Sequence, residues 1–479
     1  MILVTMHGTT TSIKRMTMQK LTLTEKVGYG FGDLASNVVF TTVSTYLMFF
    51  YTDVFGISAA VVGSLFFVTR MWDAVSDPIM GIIGDRTESR WGKFRPYLLF
   101  TPIPLAIVAV LTFTTPDVSG SAKVIWAFVS YIALMTLYTV INIPYSSLPP
   151  MMTDNGVERG ELASYRMVLA FMGAVLVNAG TIPLMNLFGN GNQQVGYQYT
   201  MILFSLIMVV LFFACFALVR ERIPPLPQSS SLASDFKVVA RNRAYWTIVL
   251  IGIPVFALML SPFSVGMYYF SYNVGNQAAA TTYFTLGTLG MIVGALICIV
   301  AVKKICKRTL MIVSLLASAL TIAQMYWLDP HNLHAVYTVI FINQLFMGIS
   351  ATNLWGLVGD TADYIEWKSG RRVVGLATSS ATFSHKFGMG LGGALVGFAL
   401  SHSGYVAGAE QGPEALRTIL LFMSLVPAGG AVLIALITSF YPVTRKVCEQ
   451  AQADLEIRRG QAAKLQTPSV TVGTSHSVA

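Results

Sequence analysis

A chain of 479 residues that is 54% hydrophobic and only 11% charged, with a mean hydropathy of +0.64, lacks the polar cover to wet its own surface. Soluble domains carry about 25% charged residues, so much of this surface must face lipid. A water-soluble enzyme, a secreted disulfide scaffold and a disordered chain are excluded. The net charge of +9 invites a nucleic-acid reading, which the placement of the basic residues removes.

The first residues, MILVTMHGTTTSIKR, contain no apolar run of signal-peptide length and read as a polar cytosolic lead over 1–25, with Met16 and Met18 as alternative starts. At roughly 40 residues per span and loop, the length predicts about twelve transmembrane helices. Apolar runs that can cross the bilayer fall at 29–51, 57–83, 96–115, 123–149, 163–188 and 197–219, then at 245–272, 280–302, 309–328, 334–359, 374–401 and 416–441. The fold class is therefore an all-α polytopic membrane protein in two six-helix halves, 26–222 and 244–444. They are joined by a polar Pro/Ser-rich loop over 223–243, the layout of a carrier with a site at mid-membrane. The tail, 445–479, reads as cytosolic and disordered.

Lys and Arg sit in alternate loops: Arg86, Arg90, Lys93 and Arg95; Arg220, Arg222, Lys237, Arg241 and Arg243; Lys303, Lys304, Lys307 and Arg308; Lys368, Arg371 and Arg372. The intervening loops lack them. The excess charge is thus a topology signal that predicts both termini in the cytosol and no nucleic-acid partner. The four cysteines are scattered, without metal spacing, and read as reduced structural thiols.

Ionisable groups inside the bilayer are costly, at least ~2.5–3.5 kcal/mol each, and mark function. Span two carries Asp73 and Asp77 on one helix face, a pair able to ligate a cation or share a proton; Arg70 offers the alternative of a purely structural ion pair. Asp33 and Asn37 are also four apart. They suit a hydroxylated ligand, although Asp33 equally suits a local pair. Tyr138, Thr139 and Asn142 cluster in span four ahead of Pro144, whose missing N–H frees a backbone carbonyl. Arg166 either snorkels or reaches inward. Lys386 lies about twelve residues into span eleven, near mid-membrane, with Thr382 one turn before it. His385 reads as a packed histidine and Trp355 as packing or a sugar-stacking ring.

The segments YGFGDLASN, FYTDVFG, RMWDAVSDPIMG, GIIGDR, RTESRWGKFRP, YTVINIPYSSL and DTADYIEW…GRR occur in order from about residue 25 to 445. In this the chain resembles the glycoside–pentoside–hexuronide:cation symporters, the melibiose-permease family of the major facilitator superfamily. The resemblance implies cation-coupled sugar import across the bacterial inner membrane by alternating access. It places the cation at Asp73, Asp77 and Thr139, with Asn142 beside them, and the sugar at Arg166, Thr382 and Lys386; the neutral amide of Asn142 and the paired acids favour H+ over Na+. Asp33, Asn37, Tyr138 and Asn142 complete the expected sugar site. Asn37 and Asn142 stand where the melibiose permease has acids, Ser146 where it has tryptophan, and Ile365 replaces a usual glycine. The expected partners are a sugar, a coupling cation and lipid, with no cofactor, no resident metal and no obligatory protein partner. No catalytic motif is present, so an enzyme is not expected. The alternative within the fold is a sugar sensor that does not transport.

Overall fold

The computed structural model describes residues 3–6, 9–12, 20–153, 155–222, 242–370 and 374–466. Leu3–Met6 and Thr9–Ser12 pair as a small antiparallel hairpin; everything else of regular form is helical. Besides the single helical turn Pro149–Met152, twelve longer helical segments follow among the described residues. The first six are α1 (23–54), α2 (Ala59–Arg86), α3 (95–112), α4 (Gly120–Ser146), α5 (Gly156–Gly189) and α6 (Gln193–Leu218). The second six are α7 (Arg243–Asn273), α8 (Ala279–Ala301), α9 (Lys307–Tyr326), α10 (Leu333–Ser369), α11 (Val374–His402) and α12 (Pro413–Ser439). Among the described residues nine of these are long and apolar enough to cross a membrane by composition alone. The other three are α1, α3 and α11. α3 breaks where Arg95–Phe100 gives way to Pro102–Thr112.

Local chemistry sets the helix ends. Thr22 opens α1 as one half of a capping box, its hydroxyl accepting from the Glu25 amide while Glu25 accepts from the Thr22 amide at 2.9 Å. α3 starts where Glu221 accepts from the backbone N–H groups of Lys93, Phe94 and Arg95 at 2.8–2.9 Å, neutralising an otherwise unsatisfied N-terminus. Gly370, at φ +69°, closes α10 in the left-handed conformation.

Within the first six, α1 packs on α5 and α6 and α2 on α4; within the second, α10 packs on α8 and α9 and α12 on α7 and α9. The two groups meet along α2 with α11 and α5 with α8. With little hydrophobic force available between helices in lipid, close backbone approach supplies the packing. A Cβ on Gly397 would lie 2.4 Å from the Ala59 carbonyl oxygen across the α2–α11 seam. A Cβ on Gly294 would lie 1.9 Å from the Leu345 carbonyl oxygen between α8 and α10. Gly294→Ala must therefore push α8 from α10, at about 1–3 kcal/mol, outweighing the ~0.5–1 kcal/mol alanine normally gains in a helix. Its unfolding temperature in detergent should fall while that of Gly429→Ala, which meets nothing within 4 Å, holds or rises. Equal behaviour of the two variants would refute this packing.

The expectation of a disordered tail is corrected in part. Arg445–Gln466 form a thirteenth helix, α13, with Ala451 and Leu455 buried and Asp454 accepting from the Trp367 indole of α10 at 2.8 Å. Its apolar stripe was hidden by an overall polar composition. The Cys448 thiol, pushed up to about 11 chiefly by burial, is a poor nucleophile there. Residues 467–479, most of the central loop (223–241), Arg371, Arg372, Met16 and Met18 lie outside the described residues.

Candidate functional site

Spacings of three and four place Arg70, Asp73 and Asp77 on one face of α2. Arg70 Nη1 donates to Asp73 Oδ2 at 2.9 Å, with the two side chains 5% and 0% exposed. One turn on, Asp77 receives Lys386 Nζ from α11 on Oδ2 at 2.5 Å and the Thr139 hydroxyl of α4 on Oδ1 at 3.0 Å. Lys386 also stands 4.0 Å from Asp73 Oδ2. Asp73 Oδ1 is buried and has no hydrogen-bond partner among the described residues. Two bases thus face two acids and the cluster sums to zero. Lys386, placed by sequence beside the sugar residues, ties the two halves together through the acid pair.

Asn142 does not join that cluster. Its amide donates to Ser36 Oγ at 3.3 Å and its carbonyl accepts from Ser146 at 3.4 Å. Asn37 donates to the Asp33 backbone carbonyl at 2.9 Å. Arg166 turns inward rather than snorkelling: its Nε donates to Asp33 Oδ2 at 2.8 Å, its guanidinium lies 5.3 Å from the Tyr145 ring, and 32% of the side chain stays exposed. Tyr138 stacks on Phe40 with ring centroids 6.4 Å apart and directly precedes Thr139, whose hydroxyl reaches Asp77. Thr382, partly buried, precedes Lys386 by one turn. His385 is a packed histidine, its ring 4.1 Å from Phe256 and 6.0 Å from Phe40, which itself stacks on Tyr138. Trp355 is 46% exposed.

A second cross-half cluster, at the face remote from the basic loops, escaped the sequence reading. Asp53, near the end of α1, accepts from the hydroxyls of Thr52 (2.6 Å), Tyr405 (2.6 Å to each oxygen) and Tyr272. Thr52 also bonds the Tyr268 hydroxyl at 2.7 Å, and Gly408 donates its N–H to Tyr272 at 3.0 Å. Gln193 and Gln277 bridge the halves nearby at 2.9 Å. The signal was present: an acid beside a loop without Lys or Arg has to find neutral donors, and tyrosines near the same face were the available ones.

Comparison with known proteins agrees with this architecture. Residues 28–445 match the MFS/sugar transport protein family. The chain is 34% identical to the inner membrane symporter YicJ of Escherichia coli, over 89% of this chain and 93% of that one. It is 37% identical to the isoprimeverose transporter of Lactiplantibacillus pentosus, over 91% and 92% respectively. In three dimensions it is similar to a D-xylose-proton symporter, with a TM-score of 0.60 at 14% identity over 88% of this chain and 96% of that one. Twelve helices in two halves and sequence similarity running almost from end to end lead to one assignment: the chain belongs to the glycoside–pentoside–hexuronide:cation symporter family of the major facilitator superfamily, and is a multi-pass membrane carrier, not an enzyme.

Proposed function

We propose that this carrier imports a sugar of the glycoside, pentoside or hexuronide class together with a cation, H+ in preference to Na+, by alternating access. The observation that carries the coupling choice is the charge balance at mid-membrane. Sodium needs several oxygens with net negative charge to replace its water shell. Here Arg70 and Lys386 cancel Asp73 and Asp77, and Asn142 adds only a neutral amide that is turned away. A proton needs a single acceptor, and the unpartnered Asp73 Oδ1 is one. Proton arrival would loosen the four-charge cluster that joins α2 to α11, linking cation binding to the movement of the halves. Arg166, Asp33, Asn37, Tyr138, Asn142 and Thr382 form the polar wall for the sugar, and Lys386 joins the two sites. The name of the isoprimeverose-transporter relative supports the class of solute.

Both termini lie in the cytosol on this reading, so the Asp53–tyrosine cluster closes the periplasmic side. A reporter active only in the periplasm and fused after Gln466 should be silent; activity there would invert the topology. Tyr405→Phe removes the donor to both Asp53 oxygens, and hydrogen bonds to charged groups contribute about 1.5–3 kcal/mol. It should shift the carrier toward its outward-open form. The check is alkylation of Ser64→Cys by a membrane-impermeant maleimide in whole cells, expected to accelerate at least several-fold. An unchanged labelling rate would remove Asp53 from the closure.

The test of the whole reading is sugar uptake in energised vesicles with and without sodium, with an external pH trace. Sodium-independent accumulation and alkalinisation on sugar addition are expected. Sodium-dependent uptake without alkalinisation would overturn the proton assignment, and absence of labelled-sugar counterflow would overturn transport itself.

A further inference from the structure

We infer that the Asp33–Arg166 pair makes this a carrier of uncharged glycosides, with Asp33 as the residue that rejects a uronate. The inference rests on the sugar-carrier reading and narrows its substrate class. The three intramembrane bases that α2, α5 and α11 bring to the proposed site are Arg70, Arg166 and Lys386, and each has its own carboxylate, at 2.9, 2.8 and 2.5 Å. When the coupling proton neutralises Asp73, Lys386 still has Asp77 at 2.5 Å. Arg70, whose carboxylate the proton takes, is 5% exposed and sealed from a solute, while Arg166 and Lys386 keep theirs.

Arg166 is the decisive one. It is the most exposed of the three, at 32% against 5% for Arg70 and 21% for Lys386, and so the best placed to meet a solute. Only its Nε is committed to Asp33, whose side chain is 9% exposed. The terminal nitrogens of Arg166 suit sugar hydroxyls, which accept hydrogen bonds without bringing charge. An anionic group approaching the same guanidinium would meet the Asp33 carboxylate already held against it, at low dielectric, where like-charge repulsion is strong. The Tyr145 ring beneath the guanidinium fixes it in place and leaves it little freedom to swing away from Asp33.

The experiment uses the full-length purified carrier and three probes: methyl β-D-xylopyranoside, methyl β-D-glucopyranoside and methyl β-D-glucopyranosiduronate. Binding is read as the ligand-dependent rise in unfolding temperature and titrated to a Kd. Wild type should bind at least one neutral glycoside at least tenfold more tightly than the uronate. Asp33→Asn, and Asp33→Ser as a second neutral variant, should shift that ratio at least tenfold toward the uronate. Asp33→Asn/Arg166→Gln, neutral again, should lose the gain. Equal or tighter uronate binding by wild type would overturn the inference, as would an unshifted ratio in both folded single variants. If wild type binds none of the three probes, the sugar reading beneath the inference fails, a result distinct from binding with the opposite charge preference.

Discussion

Lys386→Ala is expected to abolish concentrative sugar uptake while the protein still reaches the membrane. The substitution takes away the ammonium that holds Asp77 at 2.5 Å and stands 4.0 Å from Asp73, ion pairs that join the two halves. Removing one partner of a buried ion pair leaves the other charge uncompensated, at about 3–5 kcal/mol. The unfolding temperature in detergent should therefore fall with activity. Lys386→Ala/Asp77→Asn removes both charges and should recover most of the stability without recovering uptake, because the ion pair that links proton binding on α2 to α11 is gone. That separation of stability from transport is the informative result. Wild-type accumulation by Lys386→Ala would detach this residue from the mechanism.

Asp73→Asn should eliminate accumulation against a gradient, by at least a hundredfold, yet preserve exchange of sugar across the membrane. The amide resembles a permanently protonated acid: its oxygen can still accept from Arg70 at the geometry that now holds at 2.9 Å, but it no longer gains or loses a proton. Arg70, at 5% exposure, keeps its charge with a neutral partner, so some thermal stability is lost as well. Gradient-driven uptake and counterflow measured in the same proteoliposomes separate the two activities. Accumulation that survives in Asp73→Asn would place the coupling site on another helix, and loss of both activities in a folded variant would make Asp73 part of the sugar site instead.

Much of the architecture was legible in the chain because lipid imposes a strong one-dimensional signal. Spans of the required length had to be apolar, and Lys and Arg had to gather in alternate loops, so the twelve segments and their division into two sets of six followed from hydropathy and charge. The acids of α2 stood out for the same reason: every carboxylate in such a span is an exception that calls for a cause. The tail was misread because the stripe of α13 that carries Ala451 and Leu455 is too thin to register in a composition dominated by Ala, Gln and Arg.

What the sequence could not decide is which charge meets which. Arg70 and Asp73 are three apart, so their pairing was foreseeable from the pitch of one helix. Lys386 is 309 residues from Asp77, and only the packing of α2 on α11, through glycines such as Gly397, brings the ammonium to the carboxylate. The same holds for Arg166 with Asp33, and for Asp53 with tyrosines 219 and 352 residues away. Hydropathy fixes where a helix lies in the bilayer, whereas its rotation and its neighbours are set by side-chain packing between helices. The chain by itself determined a twelve-helix carrier with acids at mid-membrane; the tertiary structure decided that those acids are balanced by bases from both halves.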